Sequence, residues 1–127
     1  MRISKDFEEG TKRKIKTMLS VALENRHRTL ILSAFGCGAF GNPPKHIAEL
    51  FRQVLESPCA AAGARRTGRT FLDCFDQVVF SIIDDHNAKK EHNPQGNIKP
   101  FEQVFGVKAK KIRALLAEEE EGKQQQK

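Results

Sequence analysis

The run Leu30-Ile31-Leu32-Ser33-Ala34-Phe35-Gly36-Cys37-Gly38-Ala39-Phe40-Gly41-Asn42-Pro43-Pro44 constrains this chain more than any other part of it. An almost unbroken apolar stretch, Thr29 to Phe35, meets three glycines and then two prolines. That order predicts a strand, a tight turn and a helix. Pro44 is tolerated in a first helical turn, where its missing N–H has no partner to lose. Glycines lack a Cβ, so the backbone of such a turn can approach a ligand closely. Successive N–H groups beside a helix N-terminus attract phosphate. The first expectation is a phosphate-bearing small molecule held at the end of a sheet.

The flanking pattern places this turn in a β-α-β unit. A helix is predicted from about Thr11 to Asn25, with Ile15, Met18, Leu19, Ala22 and Leu23 on one face. Lys12, Arg13, Lys14 and Lys16 fill its other, solvated face. After the turn, Ile47, Ala48, Phe51, Val54 and Leu55 mark a helix that Ser57-Pro58 ends. Gln77 to Ile83 is a second apolar run and leads into Asp84-Asp85-His86-Asn87. Continuous apolar runs predict parallel strands covered on both faces. Their crossover should be right-handed. Ligands bind beyond the carboxyl ends of such strands, so the glycine turn and the Asp-Asp-His-Asn segment should lie near each other.

The rest of the chain is less regular. Cys59 to Arg69 reads as a loop, whose Arg65, Arg66 and Arg69 are available to an anion. His92-Asn93-Pro94-Gln95-Gly96-Asn97 is rich in turn formers; Phe101, Val104 and Phe105 then suggest a short helix. Lys108 to Glu121 reads as a further helix that runs into a solvated end. Residues 1–107 are thus expected to be one α/β unit and 108–127 a charged helical or disordered tail. Two strands are few for a sheet covered on both sides, and bare apolar edges invite association. Either an amino-terminal half is missing, or the chain self-associates.

Composition narrows the partners. The 127 residues suit one domain, and the net charge of +6 favours anionic partners, nucleic acid included. The three cysteines, Cys37, Cys59 and Cys74, form no Cys-x-x-Cys pair. They predict reduced thiols in an intracellular protein, cytoplasmic or nuclear. No signal-like segment opens the chain, no stretch spans a bilayer, and no membrane partner is expected. No metal site and no cofactor are expected either.

Gly36-Cys37-Gly38-Ala39-Phe40-Gly41 matches the G-x-G-x-x-G of a Rossmann-like dinucleotide binder. That motif wants an acidic residue about 20 positions on, and the next strand ends much later, at Asp84 and Asp85. A P-loop would need a Gly-Lys-Ser/Thr that is absent. Taken together, the segment from Gly36 to Pro44, Val54-Leu55, Phe75 to Asn87, and His92 to Asn97 resemble the microbial-type poly(ADP-ribose) glycohydrolase family, of the macrodomain fold. The similarity runs from about Lys12 to Phe105. It implies a three-layer α/β/α fold, here truncated to few parallel strands and flanking helices. The implied ligand is ADP-ribose or poly(ADP-ribose), free or on ADP-ribosylated proteins.

By that resemblance the amides of Gly36, Cys37, Gly38, Ala39, Phe40 and Gly41 would hold the diphosphate. Phe40 would pack on ribose or diphosphate, and Asn42 would lie beside them. Asp85, His86 and Asn87 would lie near the adenosine. Plainer readings stand beside these. Phe40 is a core residue, Asn42 an N-cap ahead of Pro43-Pro44, and Cys37 a small turn residue. Asp84 and Asp85 hydrogen-bond a turn, and His86 is a structural histidine. The family's Gly-Gly-Gly and Gln-Glu-Glu catalytic segment is absent, and Glu8-Glu9 lack a glycine loop before them. Glycosidic cleavage needs a placed carboxyl group. No catalytic residue is therefore assigned, and the chain is expected to bind without hydrolysing. Two alternatives remain: a basic module that binds anions or nucleic acid, and a truncated gene product that never folds stably.

Overall fold

A computed structural model describes residues 3–38, 40–59, 69–84, 91 and 94–109. In chain order the elements are α1 (Lys5–Glu24), β1 (Thr29–Leu32), α2 (Pro44–Leu55), a single 3-10 turn (Leu72–Cys74), β2 (Gln77–Phe80) and α3 (Ile98–Phe105). The fold class is α/β, as expected.

β1 and β2 pair in parallel, with Thr29 opposite Gln77 and Leu32 opposite Phe80. Asp76 N–H to Arg28 O (2.8 Å) and Ser81 N–H to Leu32 O (2.7 Å) extend the ladder at its two ends. Both strands are shorter than the apolar runs that announce them. The glycine turn draws residues 33–35 out of the ladder, and Ser81–Asp84 turn toward α3.

The strands are not covered on both faces, which corrects the reading from apolar content alone. Leu30, Leu32, Val78 and Phe80 pack against the core, whereas Ile31 is 73% exposed and Val79 36%. α2 touches α1 and α3 within one helical layer. Among the described residues there are thus two layers, helices on one face of a two-stranded sheet and solvent on the other.

Phe51 of α2 is fully buried and organises the core. Its ring meets Phe35 edge-on at 5.3 Å and Phe80 edge-on at 5.1 Å. Phe80 in turn stands 5.1 Å from both Phe101 and Phe105 of α3. Edge-to-face rings of this kind add to the gain from burial alone. α1 contributes Ile15, Leu19, Ala22 and Leu23 on the predicted face, but Met18 is 39% exposed.

α1 begins at Lys5 rather than Thr11. Asp6 and Glu8 sit in its first turn, where acidic groups suit the helix dipole. Lys12 lies 3.7 Å from Glu8 and from Glu9, spacings that support the same turns. α3 ends at Gly106, whose φ of 67° closes the helix with an N–H to Glu102 O bond of 2.8 Å. Most of the Cys59–Arg69 loop and of the 108–127 tail lies outside the described residues.

Phe51→Ala is expected to cost about 3–5 kcal/mol, since it removes the ring that three elements share. Urea unfolding followed by circular dichroism measures this. A loss under about 1 kcal/mol would place the core elsewhere.

Candidate functional site

The loop between β1 and α2 leaves the carboxyl end of β1, rooted by Phe35 on Phe51. Gly36 has φ 76° and Gly41 φ 69°, backbone that residues with a Cβ rarely adopt. A Cβ at Gly36 would collide with Asn42 Nδ2, so the glycine is required twice over. Three amides are used inside the loop. Cys37 N–H donates to Ala34 O (3.2 Å), Gly41 N–H to Gly38 O (3.0 Å) and Asn42 N–H to Gly36 O (2.8 Å). Those of Gly36, Gly38 and Phe40 pair with no backbone carbonyl among the described residues. Ala39 lies outside them.

Side chains in the loop divide by direction. Cys37 is fully buried, its Sγ 3.8 Å from Phe35 O, and burial pushes its thiol up to about 12. It is a packing residue and stays protonated at neutral pH. Phe40 points the other way and is 89% exposed, which removes the core reading for it. The N-cap of α2 is Pro43, with no side-chain cap bond, so Asn42 is not the cap that its position suggested. Its side chain lies against Gly36 instead.

A cleft of about 800 Å³ separates this loop from the amino-terminal half of α1. Gly36, Phe40 and Asn42 line one side, and Phe7, Thr11 and Lys14 line the other. Positions 7, 11 and 14 fall on one helix face by the i, i+4, i+7 rule. Of the nine phenylalanines, only Phe7 and Phe40 are exposed, and both line this cleft. Sequence reasoning missed Phe7 and Thr11 as site residues and left Lys14 among the solvated lysines. The signal was the 7-11-14 stripe, hidden while the helix was taken to start at Thr11. A second groove, about 330 Å³ between β2 and α3, is lined by Phe80, Ile82 and Phe105 together with Ser81, Glu102 and Lys108.

The wall formed by α1 is fixed by a histidine that sequence reasoning also passed over. His46, in the first turn of α2, is 2% exposed. Ile3 N–H donates to its Nδ1 (3.0 Å), which assigns the proton of a neutral ring to Nε2. Nε2 stands 3.2 Å from Glu8 Oε2, although the approach falls outside hydrogen-bond geometry. The pair joins the start of α1 to the start of α2.

Parallel pairing brings the end of β2 to the same end of the sheet. There Asp84 Oδ1 accepts from Asn97 N–H (2.6 Å) and Ile98 N–H (3.2 Å). Asn97 Nδ2 donates to Ile83 O (3.0 Å). Asp84 therefore caps α3 from a distant segment, which is the turn-bonding role weighed for it. Gly96, with φ 84°, passes close against that carboxylate. Asp85, His86 and Asn87 lie outside the described residues.

Among the described residues no group of three His, Cys, Asp or Glu is placed to hold a metal ion. No described helix is long and apolar enough to cross a membrane. No protein-family model, curated protein or solved structure matches this chain.

Asp84→Ala is expected to destabilise the fold by about 1 kcal/mol through loss of the α3 cap. The check is a thermal melt against Asp84→Asn, which can retain one acceptor and should lose less. Equal melts for all three chains would refute the capping role.

Proposed function

We propose that the cleft between the glycine loop and α1 binds the diphosphate of ADP-ribose, in a domain related to the microbial-type poly(ADP-ribose) glycohydrolases. The observation that carries the reading is the pairing of two exposed phenylalanines with a lysine over a glycine loop. Lys14 supplies positive charge, and the amides of Gly36, Gly38 and Phe40 supply donors for phosphate oxygens. Phe40 and Phe7 offer apolar faces to ribose. Exposed apolar groups that gather into one patch mark binding surfaces, and these two rings share one cleft.

The proposed ligand mode is binding without turnover. No carboxylate lines the loop side of the cleft, and the chain has no Gly-Gly-Gly and Gln-Glu-Glu segment. Cleavage of the glycosidic bond would need an acid from another chain or segment. The open outer face of the sheet, with Ile31 and Val79, is consistent with a third layer supplied in the same way. A macrodomain-like three-layer arrangement is part of this proposal.

Calorimetric titration with ADP-ribose tests the reading. Gly38→Glu should abolish binding by bulk and charge, and Phe40→Ala and Lys14→Gln should each weaken it about tenfold, near 1.4 kcal/mol. Unchanged affinity in Gly38→Glu would refute the site, and measured release of ADP-ribose from a modified substrate would refute the non-hydrolytic reading. Arg13 and Lys16 are exposed on α1 and favour a second reading, a basic face for nucleic acid. Oligonucleotide binding that falls steeply with salt and ignores ADP-ribose would support that alternative.

A further inference from the structure

The two ring nitrogens of His46 face different segments and respond in opposite ways to a proton. Ile3 N–H donates to Nδ1 (3.0 Å), so Nδ1 carries no hydrogen and acts only as an acceptor. Nε2 stands across the ring, 3.2 Å from Glu8 Oε2. The ring is buried, and Nε2 has no hydrogen-bond partner among the described residues. Ile3 is half-buried against the core, and together with Ser4 it lines the cleft beside Phe7.

The charges around the ring come from two helices. From α1, Glu8 faces Nε2, and Lys12 lies 3.7 Å from the other oxygen of the same carboxylate. On α2, Lys45 precedes His46 and Glu49 follows it by about one turn. Ile3 and Ser4 bring no side-chain charge. Ser4 O accepts from Glu8 N–H (2.8 Å), a bond of the first turn of α1 in which His46 takes no part.

We propose that His46 is a pH-operated latch on the cleft wall. When neutral, the ring accepts from Ile3 and holds it in that wall. Protonation puts a hydrogen on Nδ1, so two N–H groups face each other and Ile3 is released. The same proton makes the ring a cation beside the Glu8 carboxylate, so the contact between α1 and α2 strengthens while Ile3 leaves. Ser4 is the hinge, because its carbonyl stays bonded to Glu8. The latch is shut at alkaline pH and opens as pH falls through the range in which histidines charge, about 8 to 5. It acts on the cleft wall whichever ligand the cleft takes.

Nuclear magnetic resonance of the full chain labelled with nitrogen-15, titrated from about pH 8 to about pH 5, is the test. The ring signals of His46 should pass from the Nε2–H form to the doubly protonated form, and the Ile3 amide should change with the same midpoint. Protection of that amide from exchange, relative to an unfolded peptide at equal pH, should fall about fivefold to tenfold, the weight of one hydrogen bond. Ile15, buried in the middle of α1, should keep its protection. His46→Asn places an uncharged acceptor near the position of Nδ1, so Ile3 should stay protected throughout. Glu8→Gln removes the anion beside Nε2 and should move the midpoint to lower pH. A ring that stays neutral over the whole range, or an Ile3 amide indifferent to its charging, would overturn the latch. So would an Ile3 change that persists in His46→Asn, a loss of protection that Ile15 shares, or a midpoint unmoved in Glu8→Gln.

Discussion

The ring of Phe51 is the constraint on which the other parts of this small fold depend. Two parallel strands alone are marginal in water, because half of their backbone groups and both edges face solvent. Here β1 and β2 are held side by side because their inward residues close on one aromatic cluster. Phe35 reaches it from the end of β1, Phe80 from β2, and Phe101 and Phe105 from α3. The crossover helix α2 carries the central ring, so strand pairing and helix docking are one event rather than two.

The same cluster governs the loop. Phe35 immediately precedes Gly36, so the root of the glycine turn is clamped in the core while its tip stands free. Cys37 then points in and Phe40 points out. On the opposite side, Ile15 and Leu19 fix the middle of α1, and His46 fixes the chain before it through Ile3. Both walls of the cleft are thus anchored on α2, one through Phe51 and the other through His46. The chain keeps seven phenylalanines in or against the core and leaves Phe7 and Phe40 facing this space. Leaving large apolar surface in water costs stability, and the two rings support the binding site proposed for this cleft.

Much of the fold was legible before any coordinates. Thr29 and Gln77 open the strands as read, Pro44 opens α2, and Phe101 and Phe105 lie on a short helix. These features are local, since proline geometry, apolar spacing and glycine turns act within a few residues. The both-face burial of the strands was misread, because an apolar run says nothing about whether a second layer is present to cover it. The start of α1 was placed late, because Gly10 and the charged first turns carry no apolar stripe. The cap at Asn42 failed for a steric reason, as Pro43 already occupies the N-cap and Asn42 is drawn against Gly36.

The geometry of the candidate site was legible only in part. The glycine turn announced itself through composition, and Asp84 through its place at a strand end. Lys14, Phe7 and His46 did not, because each matters only for what lies opposite it. By itself, the sequence determined the order of elements, the parallel pair and the bend that leaves β1, since these follow from residue spacing and backbone sterics. Only the tertiary structure decided which face of the sheet is bare, which way Phe40 points and that Asp84 caps α3. Those outcomes depend on contacts between residues far apart in the chain, and local preference does not encode such contacts.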